Sequence, residues 1–270
     1  MAKCWIELNK HSDDDVLAKL PGDKTPGFDG DEEAADRASD GLRDELVDLQ
    51  ERLFAEGRHK VLVVLQAMDT GGKDGTIRKV FSGVNPQGVI VARFTAPTPL
   101  ELAHDYLWRV HQKVPARGQI VVFNRSHYED VLVARVNQLV PKKVWQKRYE
   151  HLRNFERMLA DEGTTILKFY LHIDREEQRQ RLQARLDEPD KNWKFDEHDL
   201  EQRKHWDQYM VAFRDAIVQT DRKYAPWYVI PANRKWFRDY AILTVIVSAL
   251  KKLDPQYPKA DFDPVTIKVV

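Results

Sequence analysis

The stretch from Val61 to Arg78 constrains the fold more than any other part of the chain. It begins with five consecutive apolar residues, which are typical of a buried parallel strand. Gly71 and Gly72 then form a turn before Lys73, where a helix is expected to begin. The backbone N–H groups of such a loop and the positive end of the helix favour an anion, and the lysine adds a full charge. The stretch therefore predicts a phosphate-binding loop between a strand and a helix.

The loop departs from the common pattern G-x-x-x-x-G-K-[ST] at two positions. Ala67 replaces the first glycine, and Asp74 replaces the hydroxyl residue that usually binds magnesium. Asp69 adds a carboxylate inside the loop, where a phosphate would approach. Because two anions come together chiefly when a divalent cation lies between them, we predict that Asp69 binds Mg²⁺, with Mn²⁺ as a substitute. The alternative, an ordinary turn with an exposed lysine, does not explain the two carboxylates.

Apolar runs recur along the chain and alternate with segments of helical periodicity. The runs lie at residues 61–66, 89–94, 119–123, 165–173 and 227–230. The helical segments include residues 100–111, 145–159 and 236–253. Alternation of this kind is typical of βαβ units and a parallel sheet. We therefore predict an α/β protein with five parallel strands.

The two ends of the chain differ from this pattern. Residues 1–41 are predicted to form an acidic N-terminal arm on the surface or on a partner subunit, because acidic residues lie there among glycines and prolines. Residues 42–254 are predicted as the core domain, opening with a helix that Asp40 would cap. Residues 255–270 form a predicted tail whose β-like end, residues 265–270, would add an edge strand or pack on a neighbour.

Composition narrows the classes of protein that fit. The 43 basic and 43 acidic residues balance, so the net charge argues neither for nor against binding to nucleic acid. We expect no nucleic-acid partner. A single cysteine, Cys4, excludes an internal disulfide framework. No apolar stretch approaches the ~18 residues of a membrane-spanning helix, and the N-terminus lacks a signal-peptide pattern. We expect a cytoplasmic protein with no membrane partner.

Polar residues follow the predicted strand at residues 119–123. Active sites of α/β sheets lie at the carboxyl ends of strands, where this chain places Asn124, Arg125, Glu129 and Asp130. Asn124 can orient water or a metal ligand but adds no negative charge, whereas Arg125 is suited to bidentate binding of phosphate. We predict a second part of the site here. A strand followed by a capped polar helix is the alternative.

A third stretch, residues 175–205, follows the apolar run at 165–173 and is predicted to form a helical lid. Arg181 and Arg185 are four residues apart and share one helix face, and Lys194 lies in the loop beyond. Such a segment can fold over a phosphate and bring arginines to the transferring group. Acidic residues of the same stretch nearly balance these charges, so a solvated helix is the other interpretation.

Taken in order, these stretches resemble the second polyphosphate kinase family, the polyphosphate:nucleotide phosphotransferases. The resemblance covers about residues 42–253. The motifs that carry it are AMDTGGKDG at 67–75, FNRSHYED at 123–130, the lid helix up to Trp193 and Lys194, and APW, IPAN and KW within 225–236.

The resemblance implies a thymidylate-kinase-like P-loop kinase fold, with three layers, a central parallel five-stranded sheet and a helical lid. It implies that inorganic polyphosphate is the phosphoryl donor. The combination of Ala67, Asn124, His127 and Glu129 is similar to the subgroup that phosphorylates both AMP and ADP and so makes ATP. Asn124 stands where the commoner subgroup has an aspartate, which shifts metal binding towards Asp69.

The resemblance also implies roles for individual residues. Those implied to be catalytic are Asp69, which binds the metal, Lys73, Arg125 and Arg181. Those implied to hold phosphate or polyphosphate are Met68, Thr70, Gly71, Gly72, Asp74, Gly75, Arg185 and Lys194. Those implied to face the nucleotide are Asn124, Glu129 and Asp130.

The implied reaction is an in-line, reversible transfer of a terminal phosphoryl group to AMP or ADP, without a covalent enzyme intermediate. Two alternatives stay open at this point. One is an ATP-dependent kinase of a nucleotide or another small molecule, because the same loop would hold the phosphates of ATP. The other is a non-catalytic module that binds nucleotides or polyanions. A homo-oligomer is expected for such an enzyme.

Overall fold

The computed structural model describes residues 3–8, 13–263 and 267–269. A five-stranded parallel sheet lies at its centre and confirms the predicted α/β class. The strands are β1 (Lys60–Ala67), β2 (Val89–Arg93), β3 (Ile120–Asn124), β4 (Thr164–His172) and β5 (Trp227–Pro231). Each predicted apolar run matches one strand to within one residue at either end. The strands could be predicted from the apolar runs because a parallel sheet covered on both faces is apolar almost throughout.

Helices precede, connect and follow these strands. The α-helices are α1 (Val16–Lys19), α2 (Glu32–Glu56), α3 (Lys73–Val80), α4 (Pro99–Leu102), α5 (Trp108–His111), α6 (Val133–Val136), α7 (Lys142–Asp161), α8 (Arg175–Asp187), α9 (Glu197–Lys204), α10 (Trp206–Thr220) and α11 (Lys235–Leu253). Short 3-10 helices span His127–Asp130 and Pro189–Lys194. None of the helices within the described ranges is both long and apolar enough to cross a membrane.

The strand order β2-β3-β1-β4-β5 places β1 in the middle of the sheet. In register, Val63 of β1 lies between Val122 of β3 and Leu167 of β4. The chain leaves β1 towards β2 and β3 on one side and then crosses to β4 and β5 on the other. Such a reversal opens a crevice at the carboxyl ends of the central strands, where α/β proteins bind ligands.

Helices cover both faces of the sheet and make three layers. One layer contains α2, α3 and α11, and the other contains α1, α6, α7 and α10. Alternate residues of β4 show the two faces. Lys168 contacts α7 and Tyr170 contacts α10, whereas the intervening Phe169 stacks on Tyr228 of β5. Both faces of the central strands are therefore buried.

The first long helix begins ten residues earlier than predicted. The helix starts at Glu32, and its cap is Asp31, whose side chain accepts a hydrogen bond from the Ala34 N–H at 2.9 Å. The prediction that Asp40 caps a helix from residue 42 was wrong. Acidic residues taken as part of an arm instead occupy the first turn, where they complement the helix dipole. The predicted boundary between residues 41 and 42 therefore falls inside a helix.

The rest of the predicted N-terminal arm, where described, packs on the domain. Cys4 and Leu17 are fully buried, and Trp5 contacts the ring of Tyr228 edge to face at 5.0 Å. Ile6 donates a backbone hydrogen bond to the Val229 carbonyl at 2.9 Å. The prediction of a segment outside the core was wrong for these residues. A few apolar residues anchor the segment, and its acidic average composition concealed them.

The structure differs from the prediction at residues 100–111, and residues 265–270 are only partly described. The single helix predicted at 100–111 is two short helices, because Asp105 accepts a hydrogen bond from the Leu107 N–H at 2.9 Å and forms a turn between them. The β-like run at 265–270 lies largely outside the described residues, and 267–269 are not in a strand. The last predicted helix is confirmed as α11, which ends at Leu253.

Candidate active site

The predicted phosphate loop joins the end of β1 to the start of α3. Its backbone turns sharply, since Thr70 and Gly72 both have left-handed φ values, 64° and 98°. Gly71 lies close against the strand end, because a Cβ placed on it would be 2.5 Å from the Cβ of Ala67. The loop therefore encloses a small space at the N-terminus of α3, which is the geometry that binds an anion.

Lys73 is the first residue of α3 and is buried over the loop. Its ammonium group donates hydrogen bonds to the carbonyl oxygens of Ala67 at 2.9 Å and Met68 at 3.4 Å. Burial, and then the nearby Arg125, lower the pKa of Lys73, while Asp69 opposes the shift. A charge in such a poorly solvated position interacts strongly with a phosphate that reaches it.

Asp69 and Arg125 meet across the crevice. The Arg125 guanidinium donates to a carboxylate oxygen of Asp69 at 2.8 Å, and the two side chains remain 41% and 22% exposed, respectively. Arg125 itself has a left-handed φ of 61°, which is unfavourable for a residue with a Cβ. The structure thus brings together two predicted catalytic residues that are 56 positions apart in the chain.

Asn124 and Asp74 form a second link between β3 and the loop. The Asn124 side-chain amide donates to the Asp74 carboxylate at 2.6 Å. The residue that replaces the usual loop hydroxyl is therefore paired with the residue that replaces the usual strand acid. The sequence placed both in the site but gave no indication of this contact.

Glu129 is buried next to Gln66, a residue that the sequence reasoning missed. The Gln66 side chain donates to the Glu129 carboxylate at 3.2 Å. Burial raises the pKa of Glu129, and Arg125 and Lys73 oppose the rise. Gln66 is almost completely buried near the carboxyl end of β1, and its side-chain oxygen Oε1 has no hydrogen-bond partner in the part of the chain that the structure describes. A polar residue near the end of an otherwise apolar strand was the sequence signal that could have identified Gln66.

Asp130 lies at the same end of the sheet and is paired with Arg148 of α7. The guanidinium donates to the carboxylate at 3.0 Å and to the Asp130 carbonyl at 2.9 Å. Burial raises the pKa of Asp130 to about 6, although the charge of Arg148 opposes the shift. Asp130 therefore changes its charge within the ordinary working range of an enzyme.

Ionisation of Asp130 is expected to lower stability as pH rises. Its pKa is about 6 in the folded protein against an ordinary 3.8, so the folded state holds the proton more tightly than the unfolded state. This contribution is fully present below about pH 4 and is lost as pH rises through about 6. Between pH 5 and pH 7.5, the wild type should lose about 1 kcal/mol relative to Asp130→Asn.

Urea unfolding of both proteins at several pH values measures this difference, with Asp161→Asn as an exposed reference. A free-energy difference that stays constant across this range would contradict the assignment.

Arg181 reaches the loop from the predicted lid. Its guanidinium donates to the carbonyl oxygens of Thr70 at 3.0 Å and Ala232 at 2.7 Å, and to Glu177 at 2.6 Å. The side chain therefore connects α8, the phosphate loop and the segment after β5. Burial lowers the pKa of Arg181.

Arg185 and Lys194 remain within the lid. Arg185 donates to the Lys194 carbonyl at 2.8 Å and to Asp199 at 2.9 Å. The Lys194 ammonium lies 5.0 Å from the ring centre of Trp193, which is 78% exposed. The structure confirms that residues 175–205 are mainly helical, whereas their movement as a lid stays a prediction.

Arg238 of α11 also lies at the loop and was missed. Its guanidinium nitrogen would be 2.1 Å from a Cβ at Gly72, and it is held by Asp239 at 2.8 Å. Gln178 is a second missed contact, since its side chain donates to the Asp69 carbonyl at 3.1 Å. Arg238 and Asp239 interrupt the apolar pattern of α11, and this interruption was the sequence signal for Arg238. Nothing in the local pattern marked Gln178.

The loop can hold a magnesium ion only with help from a substrate. Within the described ranges, no group of three or more His, Cys, Asp and Glu side chains is placed to hold a metal. Mg²⁺ usually binds through one or two carboxylates, water and substrate phosphates. Asp69 supplies a partly exposed carboxylate, and the neighbouring Thr70 hydroxyl is buried without a partner among the residues described. These donors fit an ion bound between the loop and a phosphate.

Comparison with known proteins places this architecture in a family. The family described as Polyphosphate kinase 2 matches residues 29–258. An AMP/ADP-polyphosphate phosphotransferase of Meiothermus ruber is 61% identical over 245 residues, which cover 91% of this chain and 92% of that protein. An ADP-polyphosphate phosphotransferase of Rhodopseudomonas palustris is 46% identical over 226 residues, with 79% and 78% covered.

A solved structure shows the same relationship in three dimensions. The crystal structure of polyphosphate kinase 2 from Arthrobacter aurescens TC1 superimposes with a TM-score of 0.91 at 41% identity. The superposition covers 96% of this chain and 92% of that one. The family match extends over most of the sequence, and both relatives and the solved structure agree with it. The chain belongs to the polyphosphate kinase 2 family.

Proposed function

We propose that this protein is a polyphosphate-dependent nucleotide kinase that transfers a terminal phosphoryl group from inorganic polyphosphate to AMP and to ADP, reversibly. The observation that carries the proposal is the convergence of Lys73, Arg125 and Arg181 around one phosphate loop at the switch point of the sheet. Three cationic side chains beside a loop of backbone donors suit a donor with many negative charges. Family membership supports polyphosphate as that donor.

The proposal that both AMP and ADP are acceptors rests on the named relatives and on the residues that follow β3. The Meiothermus ruber relative is named for both nucleotides and the Rhodopseudomonas palustris relative for ADP. Glu129 and Asp130 lie at the carboxyl end of β3, beside the loop, where an acceptor nucleotide would bind. His127 is buried and bonded to Glu156, so its contribution to this subgroup pattern is structural.

The protein's work in this reaction is positioning and charge stabilisation. The attacking phosphate oxygen of AMP or ADP is already anionic, so no general base is required. Lys73 and the loop N–H groups hold the transferring group, and Arg125 faces the same space from β3. Arg181 fixes the loop through the Thr70 carbonyl. Arg185 and Lys194 would reach the polyphosphate chain when the lid closes.

A divalent cation belongs to this scheme because two polyanions must approach each other. We propose Mg²⁺, with Mn²⁺ as a substitute, held by Asp69 and by substrate phosphates. When bound, the ion neutralises part of the charge on the phosphates. Asp69 lies inside the loop and stays 22% exposed while it pairs with Arg125, so we assign this role to its carboxylate.

We further propose a cytoplasmic, homo-oligomeric enzyme that needs no nucleic-acid or membrane partner. The single buried cysteine supports a cytoplasmic location, and closed symmetry is the common state of such enzymes. Light scattering coupled to size-exclusion chromatography measures the oligomeric state. A monomer at micromolar concentration would contradict it.

One assay tests the function. The protein is incubated with Mg²⁺ and AMP or ADP, with either polyphosphate or ATP as donor, and the nucleotides are separated and quantified. We expect ADP and ATP from AMP with polyphosphate, and ATP from ADP with polyphosphate. Transfer from ATP alone would instead identify an ATP-dependent kinase. Binding of polyphosphate without turnover would identify a non-catalytic module.

A further inference from the structure

A cluster of polar and charged side chains lies in the core beneath the 3-10 helix His127–Asp130, and the proposed chemistry does not use it. We call it the buried network. Its members are at most 1% exposed and come from the 3-10 helix, α7, β4 and α10. They are His127, Tyr128, Glu156, Lys168 and Thr220.

Lys168 and Glu156 form the centre of the buried network. The Lys168 ammonium donates to Glu156 at 2.6 Å, to the Tyr128 hydroxyl at 2.9 Å and to the Thr220 carbonyl at 2.9 Å. The other Glu156 oxygen accepts from the Tyr128 hydroxyl at 2.7 Å and pairs with His127 Nε2 at 3.2 Å. All three ammonium protons and both carboxylate oxygens therefore have partners.

Stability alone is a weak reason for such a pair. Removing two charges from water costs free energy that a buried ion pair often fails to recover, and apolar residues of similar volume frequently serve as well. A buried pair is better explained when it fixes the direction of the groups that it holds. The groups held here are the side chains of His127 and Tyr128.

The segment that carries these two residues also carries the site. Arg125 contacts Asp69 and Glu129 contacts Gln66 in the crevice, whereas His127 and Tyr128, which lie between them in sequence, bond to Glu156 in the core. Arg125 keeps an unfavourable left-handed φ of 61°. Such a conformation persists only where its surroundings hold it. The Arg125 N–H donates to the Leu65 carbonyl at 3.2 Å on one side, and the buried network anchors the residues that follow on the other.

We propose that Glu156 is a positioning residue for phosphoryl transfer, kept in place by Lys168, and that it acts through His127 and Tyr128 to hold Arg125 and Glu129 in the crevice. The inference rests on the proposed function for its readout. The essential part is the Glu156 oxygen that the two aromatic side chains share, and the lysine serves to keep that carboxylate in place.

Two double variants separate positioning from core stability. Lys168→Met with Glu156→Gln removes both charges but keeps an oxygen acceptor, whereas Lys168→Met with Glu156→Leu removes the acceptor as well. We expect the first to keep kcat within about threefold of wild type and the second to lose at least about tenfold, compared at a temperature at which thermal unfolding shows both proteins to be folded. Equal activity in the two variants would overturn the proposal.

A double-mutant cycle with Arg125→Ala tests whether the buried network acts through Arg125. If the buried network acts through Arg125, adding the Lys168→Met and Glu156→Leu changes to Arg125→Ala should cost much less than the same changes cost alone. Independent, multiplicative losses would show that the network does not act through Arg125. A merely structural role would not produce this coupling.

A single variant, Tyr128→Phe, and a second readout provide further tests of the proposal. Tyr128→Phe removes one hydroxyl and is expected to lower kcat about threefold or more, so full activity in that variant overturns the proposal even if the leucine variant fails to fold. Wild-type turnover with polyphosphate reports on the proposed function, while the ratios between variants report on positioning. If the wild type does not turn over, tripolyphosphate affinity by calorimetry replaces kcat as the readout.

Discussion

Replacing Lys73 with methionine is expected to lower kcat by about 10²- to 10³-fold, equivalent to roughly 3–4 kcal/mol of transition-state stabilisation. The ammonium group is buried over the loop and bonded only to carbonyl oxygens of Ala67 and Met68 among the hydrogen bonds of the described chain. It can therefore turn to a phosphate without breaking an ion pair. Methionine fills a similar volume, so the loss should come from the charge.

Steady-state kinetics with polyphosphate and ADP measure the effect of this substitution. Lys79→Met is the matched control, because Lys79 lies exposed on the same helix α3. Thermal unfolding of both variants shows whether the loop has kept its fold. A Lys73→Met enzyme with kcat within threefold of wild type would exclude the lysine from the transferring group.

Asp69→Asn is expected to reduce turnover by a similar factor, about 10²- to 10³-fold at a fixed Mg²⁺ concentration. The amide keeps the size of the side chain and an oxygen that can accept from Arg125, which donates to Asp69 at 2.8 Å. The negative charge that favours a divalent cation is lost. Part of the activity should therefore return when the Mg²⁺ concentration is raised, and the half-saturating concentration should increase.

Titration of activity with Mg²⁺ and Mn²⁺ measures this shift. Asp74→Asn is the informative comparison, because Asp74 lies on the other side of the loop and accepts from Asn124. The larger increase in metal requirement should belong to Asp69→Asn. Near-normal rates and an unchanged metal requirement in that variant would show that Asp69 does not bind the ion.

The sheet and the phosphate loop were predictable because their signals are local. Each strand is an uninterrupted apolar run, since helices cover both faces of a parallel sheet. The loop shows its glycines and lysine within a few residues of β1. Parallel strands end at the same edge of a sheet, which is why Asp69 and Arg125 could be placed in one site, and the structure makes β1 and β3 neighbours there.

The contacts that the sequence did not reveal join residues far apart in the chain. Arg238 lies against Gly72, and Gln178 donates to the carbonyl oxygen of Asp69, which is 109 positions away in the chain. No spacing rule links such residues. The prediction for the N-terminal segment failed for a different reason. Its average composition is acidic, yet packing depends on a few side chains such as Leu17, which is fully buried.

The closeness of Gly71 to Ala67 has a consequence for how this loop can change over time. A Cβ at residue 71 would lie 2.5 Å from the one at residue 67, so the strand end and the turn have room for a single methyl group between them. The Met68 carbonyl oxygen would lie 2.9 Å from the same Cβ. A glycine at 67 would therefore remove one obstacle and leave the other, so residue 71 is expected to remain glycine whichever residue occupies 67.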